Sequence, residues 1–243
     1  KIARHILELS DLYNSSHSDH SDIWSNENLV EAYVQYFLPL NVLRLKAVLT
    51  ECLRLNFFTG IEQLHDIGSG PGTTDFALQD CEKTFDHLFF YDRNPKAFEV
   101  HRRLLKILIA AHRCSTTPRE WILQPAKKFG AQDVVVLSYA LVEMDEVLPN
   151  IQSAEALIFI EPSVKARSRQ LLALPEHLIS QGYYIWAPCT HQSSCPLQTK
   201  TKNDWCHNRI HVELPASLQE ISAHLPMKNN SLTYSYLCAR KTP

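Results

Sequence analysis

Glycine is scarce in this chain. Six of its 243 residues are glycine, where ordinary usage of about 7% predicts roughly 17. No apolar run approaches the ~20 residues of a membrane-spanning helix, so no membrane partner is expected. An excess of charge is missing as well, with 24 basic side chains against 26 acidic ones. That balance excludes a uniformly basic nucleic-acid binder and leaves room for a local basic face. A hydrophobic content of 45% excludes a disordered chain. The length supports one sizeable core with an appendage, and we expect a monomer. Cysteine, by contrast, is plentiful at seven. An odd count and the lack of a secretory apolar segment argue against a disulfide framework, so the protein is not expected to be secreted.

The periodicity divides the chain in two. Residues 1–60 read as a helical extension, with helices predicted over 2–12, 27–37 and 42–55. Pro39 is expected to stop the second of these. The polar loop between the first two carries His17 and His20 and reads as a solvated connector. Residues 61–243 alternate short apolar runs with helical stretches. Strands are predicted at 63–67, 87–91, 121–123, 133–138, 156–160, 183–186 and 232–237, with helices at 73–81, 95–111 and 167–179. This alternation predicts an α/β fold with a doubly wound, seven-stranded Rossmann-like sheet. A Cys-rich insertion over about 187–230 precedes the last strand; long connections of this kind are usually functional.

Half of the glycines fall in one place, Asp66-Ile-Gly68-Ser69-Gly70-Pro71-Gly72-Thr73. The run follows a strand and opens a helix, the context of a nucleotide-binding turn. Glycine there lets the backbone turn tightly and approach a ligand. A dinucleotide fingerprint would need glycine at Thr73, and a P-loop would need Gly-Lys-Ser/Thr. The remaining pattern, acidic-x-G-x-G-x-G, resembles the first motif of class I S-adenosylmethionine-dependent methyltransferases. Asp92 closes the second strand, where an acid can accept from two ribose hydroxyls. The resemblance implies that Asp66, Gly68, Ser69, Gly70, Gly72 and Thr73 face the amino-acid portion of the cofactor. It places Ser138 and Tyr139 beside the adenine or sulfonium. The Asn/Asp-Pro-Pro-Tyr motif of amino-group methyltransferases is replaced by Leu137-Ser-Tyr-Ala140. Pro188-Cys189 resembles the Pro-Cys pair of pyrimidine C5 enzymes, but it follows the sixth strand and not the fourth. No catalytic residue is identified.

Cys189-x-His191-x3-Cys195-x10-Cys206-His207 is a compact group of soft ligands. Three thiolates and an imidazole suit zinc, and four thiolates suit an iron–sulfur cluster. Cys238 is discounted as the fourth ligand. At ~3.3 Å per residue an antiparallel last strand would carry it roughly 20 Å away. His191 or a group outside this sequence remains.

Four segments then carry a more specific resemblance: Tyr33–Pro39, Asp66–Gly72, Glu161-Pro-Ser163, and Ala187-Pro-Cys-Thr-His191 through Cys195-Pro196 to Asp204-Trp-Cys-His207 and Arg209. Together they are similar to the methyltransferase-like family that assembles the small ribosomal subunit in mitochondria, with bacterial relatives. That resemblance implies a class I methyltransferase fold, binding to small-subunit ribosomal RNA, and a 4Fe-4S cluster whose cysteines include Cys189, Cys195 and Cys206. It also implies the mitochondrial matrix for a eukaryotic protein and the cytoplasm for a bacterial one. Local charge agrees with an RNA partner. Residues 93–113 hold six basic side chains against Glu99, and residues 1–35 hold two basic against six acidic. Phosphate contacts need such clustering, not a basic total. Three functions stand in order: an RNA methyltransferase, a non-catalytic assembly factor that keeps the fold and binds RNA through a metal-braced loop, and a small-molecule methyltransferase.

Overall fold

A computed structural model of the chain describes residues 1–14, 20–79, 81–111, 117–123, 128–141, 151–189, 191–227, 229 and 231–243. His17, Arg113, Cys114 and Thr190 lie outside the described residues. The chain opens with α1 (Ile2–Asn14), a 3-10 turn (His20–Ser25) and α2 (Glu27–Ala32). A π-helical turn (Tyr33–Phe37) runs directly into α3 (Leu38–Arg54). Pro39 therefore does not end a helix. It has no N–H to donate to the residue four back, and its ring would crowd that carbonyl. The wider turn before it takes up the conflict, with the Leu38 amide donating five residues back to Tyr33. Pro39 then occupies the first turn of α3, where an absent N–H costs nothing.

The remainder alternates as expected: β1 (Gln63–Ile67), α4 (Thr73–Leu78), β2 (His87–Tyr91), α5 (Pro95–Ala110), β3 (Arg119–Ile122), β4 (Asp133–Ser138), β5 (Ala156–Pro162), α6 (Lys165–Ser180) and β6 (Tyr184–Ala187). After these come α7 (Pro196–Thr199), β7 (Asn208–Ile210), α8 (Ala216–Ala223) and β8 (Leu232–Arg240). The sheet order is β3-β2-β1-β4-β5-β8-β6. The pairings among β1 to β5 are parallel, while β8 runs antiparallel to β5 and β6. This is the sheet of the class I methyltransferase fold. An eighth strand, the three-residue β7, pairs with β8. Asn-Arg-Ile carries too little apolar pattern to be read as a strand in advance.

Strict alternation along the central strands separates two cores. Val134, Val136, Ile158, Ile160 and Cys238 face α3 and α4, meeting Leu45, Val48, Cys52 and Ala77. Val135, Leu137, Leu157, Phe159 and Leu237 face α6 through Leu171, Leu174 and Leu178. Strands buried on both sides need continuous β-branched and aliphatic runs, which is what Asp133–Ser138 supplies. A third cluster joins the N-terminal helices to the segment before β8. Ile6, Leu9, Tyr33 and Tyr36 pack there with Leu214, Leu218 and Leu232. No described helix is long and apolar enough to cross a membrane.

Candidate functional site

The carboxyl ends of β1, β2 and β4 meet at one edge of the sheet, and the glycine turn lies across it. Gly68, Gly70 and Gly72 all have left-handed backbones, with φ of 68°, 52° and 95°. The Gly68 and Ser69 amides donate to the Tyr91 carbonyl at 2.9 and 3.0 Å. Asp92 anchors the turn from β2: its Oδ2 accepts from the Gly70 amide and its Oδ1 from the Asn94 amide, both at 2.8 Å. Burial raises the Asp92 pKa, and these amides oppose the shift. The acid predicted to meet a ribose ties the glycine turn to the end of β2.

The glycines are required by protein contacts as well as by any ligand. A Cβ on Gly68 would stand 2.6 Å from the Ala140 Cβ, and one on Gly72 would enter the His101 imidazole. That ring belongs to a buried network. His101 Nδ1 accepts from the Trp121 indole at 3.0 Å, which leaves Nε2 to donate to Asp75 Oδ2 at 3.0 Å. Arg119 closes the group with two bonds to Asp75, at 2.7 and 2.8 Å. Burial pushes Asp75 up, but the His101 and Arg119 bonds outweigh it and hold the carboxyl below its ordinary range. Asp75, His101 and Arg119 therefore brace the turn from beneath.

Above this scaffold sit polar groups left without partners. Asp66 is 1% exposed, and neither of its carboxylate oxygens has a hydrogen-bond partner among the described residues. Burial drives its pKa well above the carboxylate range; the nearby Thr74 hydroxyl opposes this, and Asp92 and Asp75 add to it. The hydroxyls of Ser69 and Ser138 are buried and have no partner among the described residues, while the buried hydroxyls of Thr74 and Tyr139 stand near Asp66 and Arg44. Thr73 is buried at the first position of α4. Such groups are costly unless something satisfies them. Ser138 ends β4, and Tyr139 follows in a left-handed conformation, φ 63°, rare for a bulky residue. Every cofactor-site residue expected from the sequence lies along this edge.

Three residues at the same edge were not expected at the site from the sequence. The Trp24 ring approaches to 3.6 Å of a Cβ built on Gly70 and meets Tyr33 edge-on at 5.2 Å. Tyr33, from the π-helical turn, reaches Asn41 and Thr73 and feels the charges of Asp92 and Asp66; burial pushes its hydroxyl up. Glu161, closing β5, is 1% exposed. Burial lifts it to about 7 against the opposing Leu141 amide and Arg167. Tyr33 and Glu161 were visible inside motif segments, but nothing in their spacing places them beside a turn 30 to 90 residues away.

At the far end of β6, Cys189, His191, Cys195, Cys206 and His207 line one cavity of about 60 Å³. The thiols share a neighbourhood: burial raises Cys189 and Cys206, and each is raised further by neighbouring cysteines. The loop is well anchored. Arg169 of α6 donates to the carbonyls of Leu197, Thr201 and Asp204. The Ser235 hydroxyl donates to the Cys206 carbonyl at 2.7 Å and accepts from Ser168 at 2.6 Å. The Gln192 amide pairs with both backbone groups of Ile185 on the open edge of β6. Even so, no group of three His, Cys, Asp or Glu side chains among the described residues stands in metal-holding geometry. The donor chemistry fits a soft metal, and the arrangement is not a closed site. Cys238 takes no part, though distance is not the reason. Its register partner is Ala187, two residues from Cys189. It points to the opposite face of the sheet, 3.6 Å from the Cys52 sulfur.

Among solved structures, similarity extends to several methyltransferases. Magnesium protoporphyrin IX methyltransferase from Synechocystis PCC 6803, with bound S-adenosyl-homocysteine, aligns with 96% of this chain and 93% of its own at 10% identity, TM-score 0.47. Precorrin-6y C5,15-methyltransferase from Geobacter metallireducens aligns with 82% and 89% at 14% identity, TM-score 0.45. TrmK from M. capricolum, in complex with S-adenosyl-homocysteine, aligns with 78% and 68% at 16% identity, TM-score 0.42. The fold assignment rests on the strand order of this sheet and needs none of them. No curated protein matches the chain. The model of the family described as mitochondrial small ribosomal subunit Rsm22 matches residues 27–243, and the chain belongs to that family.

Proposed function

We propose that the chain is a methyltransferase-like protein that binds S-adenosylmethionine and acts on or binds small-subunit ribosomal RNA during ribosome assembly. The observation that supports it most directly is the buried polar set Asp66, Ser69, Thr74, Ser138 and Tyr139 around the glycine turn, in which Asp66, Ser69 and Ser138 are left poorly satisfied among the described residues. A ligand with an ammonium group and several hydroxyls satisfies such a set. Asp66 would hold the ammonium of the methionine portion, whose charge offsets the burial that now raises the carboxyl. Asp92, already bonded by the Gly70 and Asn94 amides and approached by that of Arg93, would accept from a ribose hydroxyl with its remaining lone-pair capacity. Tyr33 and Trp24 would shield the pocket from water. S-adenosylmethionine supplies an electrophilic methyl group when bound. The family description supports the ribosomal partner, and in a eukaryote the mitochondrial matrix as the compartment. The basic face of α5 would meet phosphates.

One observation favours the non-catalytic reading. Leu137-Ser-Tyr-Ala140 lacks the acceptor-binding motif of amino-group enzymes. On that reading the cofactor fold is a scaffold, and the extension over 1–60 and the insertion over 187–230 present RNA. Cys189, Cys195 and Cys206, with His191 or an external group, would hold a 4Fe-4S cluster or zinc that draws the loop tight. Calorimetric titration with S-adenosylmethionine tests the central reading: a 1:1 isotherm is expected, and no heat at millimolar cofactor rejects it. Elemental analysis of anaerobically purified protein tests the metal, which is rejected if iron and zinc are both absent.

A further inference from the structure

We propose that Glu161 is a positioning residue for the glycine turn. Its carboxylate fixes the turn Tyr139–Leu141, and Ala140 transmits that position to Gly68. This rests on the reading of the cleft as a cofactor site, and it concerns a residue that no motif assigns to that site. Glu161 Oε1 accepts from the Leu141 amide at 2.9 Å. On the other side of the turn the Tyr139 amide donates to the Ile160 carbonyl at 2.9 Å. These two bonds, both reaching the end of β5, straddle a tyrosine held at φ 63°. A left-handed backbone at a bulky side chain persists only when its surroundings over-determine it. Between the bonds lies Ala140, which is buried. Its Cβ fills the space a side chain on Gly68 would need, at 2.6 Å. The post-β4 turn and the glycine turn therefore approach closely at Ala140 and Gly68, so that a shift of one is felt by the other.

The charge of Glu161 tunes this coupling. Its carboxyl titrates at about 7, because burial raises it while the Leu141 amide and Arg167 of α6 pull it back. Its charge reaches Tyr139 on the post-β4 turn, whose hydroxyl also meets Arg44 of α3. Ser235 is its neutral register partner on β8. Ionisation above neutrality strengthens the bond to the Leu141 amide, since a charged acceptor binds more tightly than a neutral one.

The test is hydrogen–deuterium exchange of the full chain without ligand, at pH 6 and pH 8 after correction for intrinsic rates. Glu161→Ala and Glu161→Gln are compared with the unmodified protein. Glu161→Ala is expected to speed exchange in peptides covering both 138–141 and 68–72 by about fivefold to tenfold, the fold-change of one lost hydrogen bond of this kind. Glu161→Gln is expected to restore protection and abolish its change between the two pH values. Acceleration confined to 138–141, or none, overturns the proposal. If circular dichroism shows Glu161→Ala unfolded, the glutamine variant decides, and a pH dependence equal to that of the unmodified chain overturns it. Titration with S-adenosylmethionine runs alongside. Failure of the unmodified protein to bind rejects the cofactor reading, while the exchange result decides the coupling independently.

Discussion

A methyl group placed on Gly72 would occupy the His101 ring, whereas one placed on Gly60 would meet nothing within 4 Å, although both residues are left-handed at φ 95° and 73°. Gly60→Ala is thus expected to cost about 1 kcal/mol through its backbone alone. Gly72→Ala adds an overpacking penalty of ~1–3 kcal/mol, and urea unfolding of the two variants separates these contributions. Glu161 makes the opposite kind of prediction. Its carboxyl is pushed up to about 7 from the ordinary 4.5, so the native state binds its proton more tightly than the unfolded chain does. Stability from this group is complete below pH ~4.5 and is lost as pH rises towards 7. The shift corresponds to about 3 kcal/mol at pH 8. Glu161→Gln, which can still accept from Leu141, is therefore expected to raise the melting temperature at pH 8 and change little at pH 5. A uniform effect across that range would contradict the burial origin of the shift. A carboxylate that weakens the fold at neutral pH is understandable where it holds a functional turn.

Elements are joined here by a few polar residues that reach across them. Asp75 links α4 to β3 through Arg119 and to α5 through His101. Both ions are buried, and Asp75→Asn removes the carboxylate shared by the Arg119 guanidinium and the His101 imidazole. The expected loss is about 3–5 kcal/mol, read as a lower urea midpoint. Arg169 does the same work for the cysteine loop by holding three carbonyls of residues 197–204. Arg169→Ala should leave the sheet intact, since the lost bonds are local. Alkylation of Cys195 and Cys206 should become several-fold faster, and mass spectrometry of timed iodoacetamide reactions measures it. Pro39 shows how an element's boundary depends on its context. A proline that ordinarily marks the end of a helix became the start of α3, because the π-helical turn Tyr33–Phe37 absorbed the missing hydrogen bond.

Across the whole molecule, charge is unevenly distributed although it sums to only −2. Basic side chains on the exposed face of α5 include Lys96, Arg103 and Lys106. Replacing these three with glutamate should weaken binding of a small-subunit RNA fragment by at least about tenfold at physiological salt, with a shallower salt dependence. Filter binding at several ionic strengths checks this, and an unchanged affinity would move the RNA face elsewhere. The sheet was legible in the sequence because its strands are local objects. Asp133–Ser138 holds a continuous aliphatic run buried on both faces, and Gln63–Ile67 and His87–Tyr91 are short segments bounded by turn residues, so their extended conformation follows from local pattern. The glycine turn was legible for a related reason: left-handed φ at three alternate positions demands glycine whatever lies nearby. What those glycines touch was not legible, since Ala140 and His101 come from elements 29 to 72 residues away. The same holds for Glu161, for Tyr33, and for the side of the sheet on which Cys238 lies. By itself, then, the sequence determined which segments become strands and helices and where the backbone must bend, because these follow from near-neighbour sterics and the period of burial. Only the tertiary structure decided which buried acids face one another, which thiols share a cavity and which turn leans on which. Those depend on the sheet order, and sheet order brings together residues that no local pattern relates.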